Sequence, residues 1–338
     1  MERLEHGAGP LYGRWNWAAR LRPFDYFDAA RMLGERPARE KALAYGILGG
    51  TPRFLAILRP GEPLAGRAAE TVLSPRGEVH IQLERVVEQE KGIRDPAEYR
   101  AVLAAIAAGK TQIEEIAGAT GLGDRPYVVR RAVRVLEELE LVWRERNFDA
   151  PPKAAYRYRI ADNAVRFWYR FVHPNRSLLE TGDALGVWEA RVEPLLNDYM
   201  GKVFERLVRE AFTRCHASWG LPAAGEWARW EGRDRNRRSI EVDLVARLED
   251  GRILAGEVKW STRPVGSDVL TDLLRDLDDL GRSGQGWARD ALSDSRSAGF
   301  LFVASTAFTA EFRTRARKDP RIRLVTLEEL YAGAAPSP

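Results

Sequence analysis

The sequence predicts an α+β multidomain protein: a helical N-terminal segment, a compact module of three helices and a hairpin, and a C-terminal α/β domain. Three observations predict it. Apolar positions recur at helical spacing between Arg39 and Leu58, interrupted by Gly49, Gly50 and Pro52. Residues 96–160 run as three punctuated helical stretches followed by two extended ones. Beyond a Gly/Pro loop at 220–225, apolar strand segments surround a helical one, the pattern of an α/β layered domain. A length of 338 residues fits two domains, or three small ones, at roughly 150 residues each.

Composition narrows the function classes. The chain has 53 Lys and Arg against 49 Asp and Glu, a net charge of +4 and a pI near 9.2. That balance admits a nucleic-acid partner without requiring one. A single cysteine, Cys215, leaves no disulfide framework or cysteine-rich zinc cluster, and suits a reducing cytoplasm, the expected location. His6, His80, His173 and His216 form no HExxH pair, which argues against a zinc hydrolase. MERLEHGAGP lacks the apolar core of a signal peptide, and no stretch approaches the ~18 uninterrupted apolar residues that suggest a span, so no membrane association is expected.

The elements follow in order. The first 30 residues are dense in aromatics and arginines, which suggests docking against a partner surface or against the chain's own next helix. Leu21 and Phe24, flanking Arg22 and Pro23, read as a short strand entering a turn. Two short helices follow, then a turn at 60–66 and further helix over 67–92, interrupted near Pro75-Arg76-Gly77. Pro96 opens a helix that stops at Gly109. Thr111 can cap the next, with Glu114 at the capping-box spacing, and Pro126 opens the third. The extended segments LVWRERN and AAYRYRIAD complete a winged helix-turn-helix plan. Phe167, Trp168, Tyr169 and Phe171 sit at helical spacing beside Val165 and Val172; they read as core, with base stacking as the alternative. An amphipathic helix runs from Asn197 to Arg214. The strands SIEVDLVARLE, RILAGEVKWS and AGFLFVAST come next, with a helix near 268–281.

The chemistry centres on Glu205, Asp243, Glu257 and Lys259. In the strand AGEVKW a period of two puts Glu257 and Lys259 on one face and Val258 on the other. Gly256 permits close approach to the backbone. Asp243 lies 257 − 243 = 14 residues earlier, across a turn at Glu249-Asp250-Gly251, a spacing that fits a hairpin with Asp243 beside Glu257. Ile240, Val242 and Leu244 are expected on the core face, and Glu241 and Asp243 on the other. Two converging carboxylates, Asp243 and Glu257, suit Mg²⁺ or Mn²⁺, which take hard oxygen ligands. Lys259 beside them can steady water or phosphate, and Glu205 on the preceding helix can add a further ligand or water contact. A bare Glu-x-Lys reads more simply as an ion pair on a solvated face; the ordered set within apolar strands favours the site.

That set resembles the PD-(D/E)XK nuclease-like superfamily, whose restriction-endonuclease-like core carries a helix Glu, then a hairpin with Asp and (D/E)xK. The wider chain is similar to archaeal-type AAA/STAND-like ATPases, which combine an ATPase core, a helical lid, a winged helix and a nuclease-like domain. GPLYGRWNWAARLRPFDYFDAA, YGILGGTPRFL, YRIADNAVRFWYRFVHPNR and YMGKVFERLVREAF, followed by EVDLVA and GEVKW, carry the resemblance. It implies a helical lid-like region with an ATPase remnant over 1–94, a winged helix over 95–160, a nuclease-like domain over 161–332 and a disordered tail at 333–338. The family's phosphate-binding loop is not present: Gly109-Lys110-Thr111 has Ala104 where a glycine is required and reads as a helix end and start. The chain is therefore expected not to hydrolyse ATP alone and to have a separate ATPase subunit as a possible partner. Arg14 is a candidate nucleotide-sensing arginine in a complete relative. Oligomerisation stays open.

DNA is the expected partner of the winged helix. Arg125, Arg130, Arg131 and Arg134 lie on or before its third helix, and Arg144, Arg146, Lys153 and Arg157 on the wing. Arginines there suit phosphate contacts and guanine readout. Glu137, Glu138 and Glu140 dilute the patch, and a protein-binding winged helix is the alternative. The basic run Arg233–Arg238 reads either as a solvated loop or as a phosphate contact near the site.

Overall fold

The computed structural model describes residues 21–88 and 95–332. The aromatic N-terminus with Arg14, and the tail at 333–338, lie outside the described residues. Residues 21–25 have no regular structure, so the expected strand at Leu21–Phe24 does not form. The Phe24 N–H instead bonds the Gly50 carbonyl at 2.9 Å. The approach needs a glycine: a Cβ at Gly50 would lie 1.9 Å from the Phe24 carbonyl oxygen. Asp25 then caps helix α1 (Tyr26–Met32) by accepting from the N–H groups of Phe27 and Asp28. Helix α2 (Ala38–Leu48) follows, ending at Gly49 with φ +65°. Short helical turns at Pro52–Leu55, Leu64–Ala68 and Glu78–Glu84 complete this part.

The three-helix module forms as its punctuation requires. Asp95 caps α3 (Pro96–Ala107), and Gly109 ends it at φ +96°, with Lys110 N–H bonded to the Ala105 carbonyl at 3.0 Å. The Gly-Lys-Thr run is thus a helix end. Helix α4 (Ile113–Ala119) starts one residue later than its sequence signal: Gln112 and Glu115 form the capping box, and the Glu115 carboxylate accepts from the N–H groups of Thr111 and Gln112 at 2.9 and 3.1 Å. Both boxes fit the spacing rule, and Ile113, buried at 8% exposure, fixes the phase. Pro126 opens α5 (Pro126–Glu138). Strands β1 (Val142–Glu145) and β2 (Arg157–Ile160) pair antiparallel from Val142↔Ile160 to Glu145↔Arg157.

Helix α6 (Asn163–Phe167) continues through a π turn at Trp168–Val172. Phe167, Trp168, Tyr169 and Phe171 are all buried, so these aromatics are core and not a stacking platform. Asn163 donates to the Tyr45 carbonyl and Tyr199 to the Gly46 carbonyl, which fastens α6 and the following long helix to α2. That helix, α7 (Glu193–Cys215), buries Val203, Phe204, Leu207, Val208 and Ala211 at i, i+1, i+4 spacing. Cys215 ends it as a buried thiol.

A five-stranded sheet follows, ordered β3-β4-β5-β6-β7: β3 (Ala224–Arg233), β4 (Ser239–Leu248), β5 (Ile253–Lys259), β6 (Ser297–Ala304) and β7 (Ile322–Thr326). The first three strands are antiparallel and the last three parallel. One apolar cluster joins α7 and the N-terminal helices to one face; a second covers the other with α8 (Asp268–Arg282), α9 (Gly286–Leu292) and α10 (Ala310–Lys318). Gly256 is where β6 comes close: a Cβ there would lie 1.9 Å from the Leu301 carbonyl oxygen. Among the described residues no helix is long and apolar enough to cross a membrane.

Strand β4 changes phase in its middle. Ala228 pairs with Val245 and Trp230 with Val242, so Arg229 opposes both Asp243 and Leu244, a β-bulge. Ile240 and Val242 consequently join the second cluster while Leu244, Ala246 and Leu248 join the first. The expectation that Leu244 shares a face with Ile240 and Val242 fails because the inserted residue reverses the alternation.

Candidate metal centre at the β4 bulge

Strand pairing assembles the site. Leu244↔Gly256 register sets Asp243 beside Glu257 one step further along the hairpin. The Val258 N–H donates to Asp243 Oδ2 at 3.1 Å, and Lys259 Nζ donates to the same oxygen at 3.1 Å. Lys259 also forms a short ion pair with Glu257. From the other side, α7 brings Glu205: one carboxylate oxygen each from Glu205, Glu241 and Asp243 lies within 4.8 Å of the other two. Lys202, one turn before Glu205, bridges Glu205 at 2.8 Å and Glu241 at 3.1 Å. Arg229, opposite the bulge, pairs with Glu231 at 3.0 Å and with Glu241. Of the four sequence-predicted residues, Glu205 and Asp243 share this carboxylate group, and Glu257 joins Asp243 through Lys259. Glu241 was not among them, although its two-residue spacing from Asp243 on a strand was the available signal.

Burial and crowding set the protonation states. Burial, then the neighbouring Asp243 charge, pushes the Glu257 carboxyl well above its usual range. Glu205 is raised by burial, reinforced by Asp243 and opposed by Lys202. For Asp243, burial acts upward, but Lys259 and the hydrogen bonds from Glu257 and the Val258 N–H outweigh it, so the carboxyl stays below its usual range. Burial acts to lower Lys259, yet the two carboxylates raise it, which keeps the ammonium charged. The donor set is all carboxylate oxygen, the chemistry a hard divalent ion takes, with the oxygens of Glu205, Glu241 and Asp243 within 4.8 Å of one another. The Lys259 ammonium touches both Asp243 and Glu257 and offsets their charge. These residues fit a hard divalent ion.

A cleft opens between this site, the β1–β2 hairpin and α7. The other expected residues lie elsewhere and are largely engaged. On the three-helix module Arg130 pairs with Glu114 at 3.3 Å, Arg131 with Glu98 at 2.8 Å and Arg144 with Glu137 at 3.4 Å. Arg125 is 3.9 Å from Asp124. Arg144 and Arg146 stack on Tyr156 at 4.5 and 3.9 Å from the ring centre. Arg134 makes no ion pair among the described residues. In the Arg233–Arg238 run, Arg238 is tied to Asp276 and Asp279 of α8 at 2.8 Å, and the Arg235 N–H to Ser283, so the turn is docked on that helix.

Residues 168–269 match a family described as archaeal and bacterial proteins of unknown function. The matched stretch contains the whole carboxylate set and Lys259. The chain is also 26% identical over 268 residues to an uncharacterized protein of Methanocaldococcus jannaschii. That alignment covers 77% of this chain and 56% of the relative, so the chain spans little more than half the relative's length. No solved structure matches it.

Proposed function

We propose that the chain is a DNA-binding protein with a metal-dependent phosphodiesterase site on a restriction-endonuclease-like sheet, and that the three-helix module serves as its winged helix. The observation that carries this reading is the meeting of Glu205, Glu241, Asp243, Glu257 and Lys259 at the β4 bulge. Asp243 and Glu257, with Glu205 and Glu241 beside them, would hold Mg²⁺ or Mn²⁺. Such an ion supplies charge stabilisation at a phosphoryl oxygen and an acidified water. Lys259, held by Asp243 and Glu257, orients that water and meets charge developing on phosphate. Lys202 and Arg229 keep Glu205 and Glu241 turned inward. Mn²⁺ titration calorimetry and cleavage of plasmid DNA by the purified protein test it. Mn²⁺ binding and metal-dependent cleavage are expected in the wild type, and loss of both in Asp243→Asn. A wild type that binds no divalent ion at millimolar concentration overturns it.

One observation favours a second reading. Lys202, Arg229 and Lys259 already offset much of the carboxylate charge without any added ion. On that basis the domain binds DNA or a partner without cutting, as a regulatory or scaffolding protein acting with a separate ATPase. DNA binding with no cation binding and no cleavage selects it.

A further inference from the structure

Three arginines that lack an ion-pair partner line two adjoining clefts beside the carboxylate site. Arg166 of α6, Arg170 of the π turn and Arg209 of α7 have no ion-pair or hydrogen-bond partner among the described residues. Their contacts are aromatic: Arg166 lies 5.4 Å from the Tyr199 ring centre, Arg170 5.9 Å from that of Phe171 and Arg209 5.7 Å from that of Trp143. Arg166 and Arg209 line the cleft that ends at Glu205 and Asp243. Arg166 and Arg170 line a second cleft that shares Arg159, Arg166 and Lys202 with the first and reaches the end of α3 at Gly109. The two clefts adjoin, and the unpaired guanidinium groups run along both.

Arg166 and Arg170 are half-buried, and cations placed so without counter-ions cost stability. Removing a guanidinium from water is offset only by a partner charge or by good hydrogen bonds. Burial lowers the pKa of Arg166, and Arg159 and Arg206 act with it, while Tyr199 and the Glu205 charge oppose. Glu205 acts on Arg166 and Glu145 on Arg209, but neither carboxylate comes within ion-pair distance of them. An arginine fork matches a phosphate oxygen pair in geometry and charge, and a row of them matches a strand with regularly spaced phosphates.

We infer that Arg166, Arg170 and Arg209 form a phosphate track that holds the nucleic-acid backbone flanking the proposed cleavage site and leads it toward the three-helix module. The track rests on the reading of the bulge site as a phosphodiesterase, because that reading says which strand enters the cleft. It adds a binding element outside the metal centre and independent of metal.

Anisotropy of a labelled DNA duplex, titrated in EDTA over a range of salt, tests the track without calling on cleavage. Arg166→Gln combined with Arg170→Gln should reduce affinity about tenfold and flatten the logarithmic salt slope by about 0.9 for each phosphate that is no longer neutralised. Arg166→Lys, which keeps the charge but loses the fork, should lie between. Asp243→Asn should still bind. The double variant should melt at the same temperature as the wild type or higher, since it removes an uncompensated charge. Unchanged DNA affinity and salt slope overturn the track even if the wild type cuts DNA. Track-dependent DNA binding without cleavage supports the track and sinks the phosphodiesterase reading alone. If the double variant loses affinity for inorganic phosphate or ATP but not for DNA, the groups serve a free phosphate and the backbone assignment is wrong. A lowered melting temperature with unchanged salt slope assigns the arginines a packing role and overturns it too.

Discussion

The three-helix module and the cleft beside the sheet both carry arginines, and they treat them differently. On the module, Arg130 and Arg131 are more than half exposed and each meets a glutamate from a neighbouring helix. Such pairs contribute about 0–1 kcal/mol, because water screens them and the side chains lose entropy in forming them. In the cleft, Arg166 is half-buried and meets the Tyr199 ring without an ion pair, whereas Arg209 is exposed, with the Glu145 charge near it. Exposed charge is inexpensive to place and easily neutralised, so its presence says little about a partner. Secluded charge without a counter-ion is costly, so its presence asks for one. The module drew attention in the sequence through its arginine count, whereas the cleft has the stronger physical claim on a phosphate.

The largest effect that sharpens this contrast belongs to the cleft's end. Lys259→Ala should reduce single-turnover cleavage about 100-fold or more, the scale of a positioned proton-transfer group, while Mn²⁺ affinity holds or rises. Cleavage at the wild-type rate would make the lysine a structural counter-charge. Backbone fit gives the next test. Gly256→Ala places a Cβ against the Leu301 carbonyl and should destabilise by about 1–3 kcal/mol, in the range of overpacked sites. In the module, Gly118 of α4 has nothing within 4 Å of an added Cβ, and Gly118→Ala should stabilise by about 0.5–1 kcal/mol. Urea midpoints on both variants check the pair; equal shifts would mean that β5 and β6 can separate freely.

Smaller effects are expected on the module's own surface. Arg130→Gln with Arg134→Gln should weaken DNA binding and flatten the salt slope by about 0.9 per phosphate released from the helix, from a weaker starting point than the cleft variants because Glu114 already competes for Arg130. No change in either quantity would return the helix to protein binding. The smallest concerns neither region. Glu210 accepts from the Tyr45 hydroxyl at 3.0 Å and the Tyr26 N–H at 3.2 Å, and burial raises its carboxyl above the usual range against the pull of Arg206. A folded-state value raised above the unfolded one makes a contribution that is complete below the unfolded pKa and is lost as pH rises through the folded one. Glu210→Gln should therefore flatten the decline in stability as pH rises above the ordinary carboxylate range. A pH series of urea midpoints with the slope unchanged would refute this.

The sequence made the site legible where its chemistry was local. Glu257, Val258 and Lys259 declare a strand with charge on one face, and the hairpin spacing brings Asp243 to them. Punctuation by Pro96, Gly109 and Pro126 marked three helices to within a residue or so. Strand β3 escaped because AGEWARWEGR alternates poorly and carries two glycines. Strand β7 escaped because IRLVT is short and follows a charged helix, with its burial supplied by β6. Glu241 could have been found from its two-residue spacing to Asp243, but the cleft arginines were hidden: what matters about them is which long-range neighbours they have or lack, and no local pattern encodes that.

The bulge at Asp243 and Leu244 also determines how the gene can change. Upstream of it Ile240 and Val242 serve one layer of the molecule; downstream Leu244, Ala246 and Leu248 serve the other, with Val245 alternating back to the first. A one-residue deletion at this point would restore an unbroken pleat and force one half of the strand to present its polar residues inward. Substitutions along β4 alter one neighbour pair each, whereas that deletion exchanges two layers. Single-codon loss here should be among the least tolerated lesions in the chain, even though the strand would still read as a good strand.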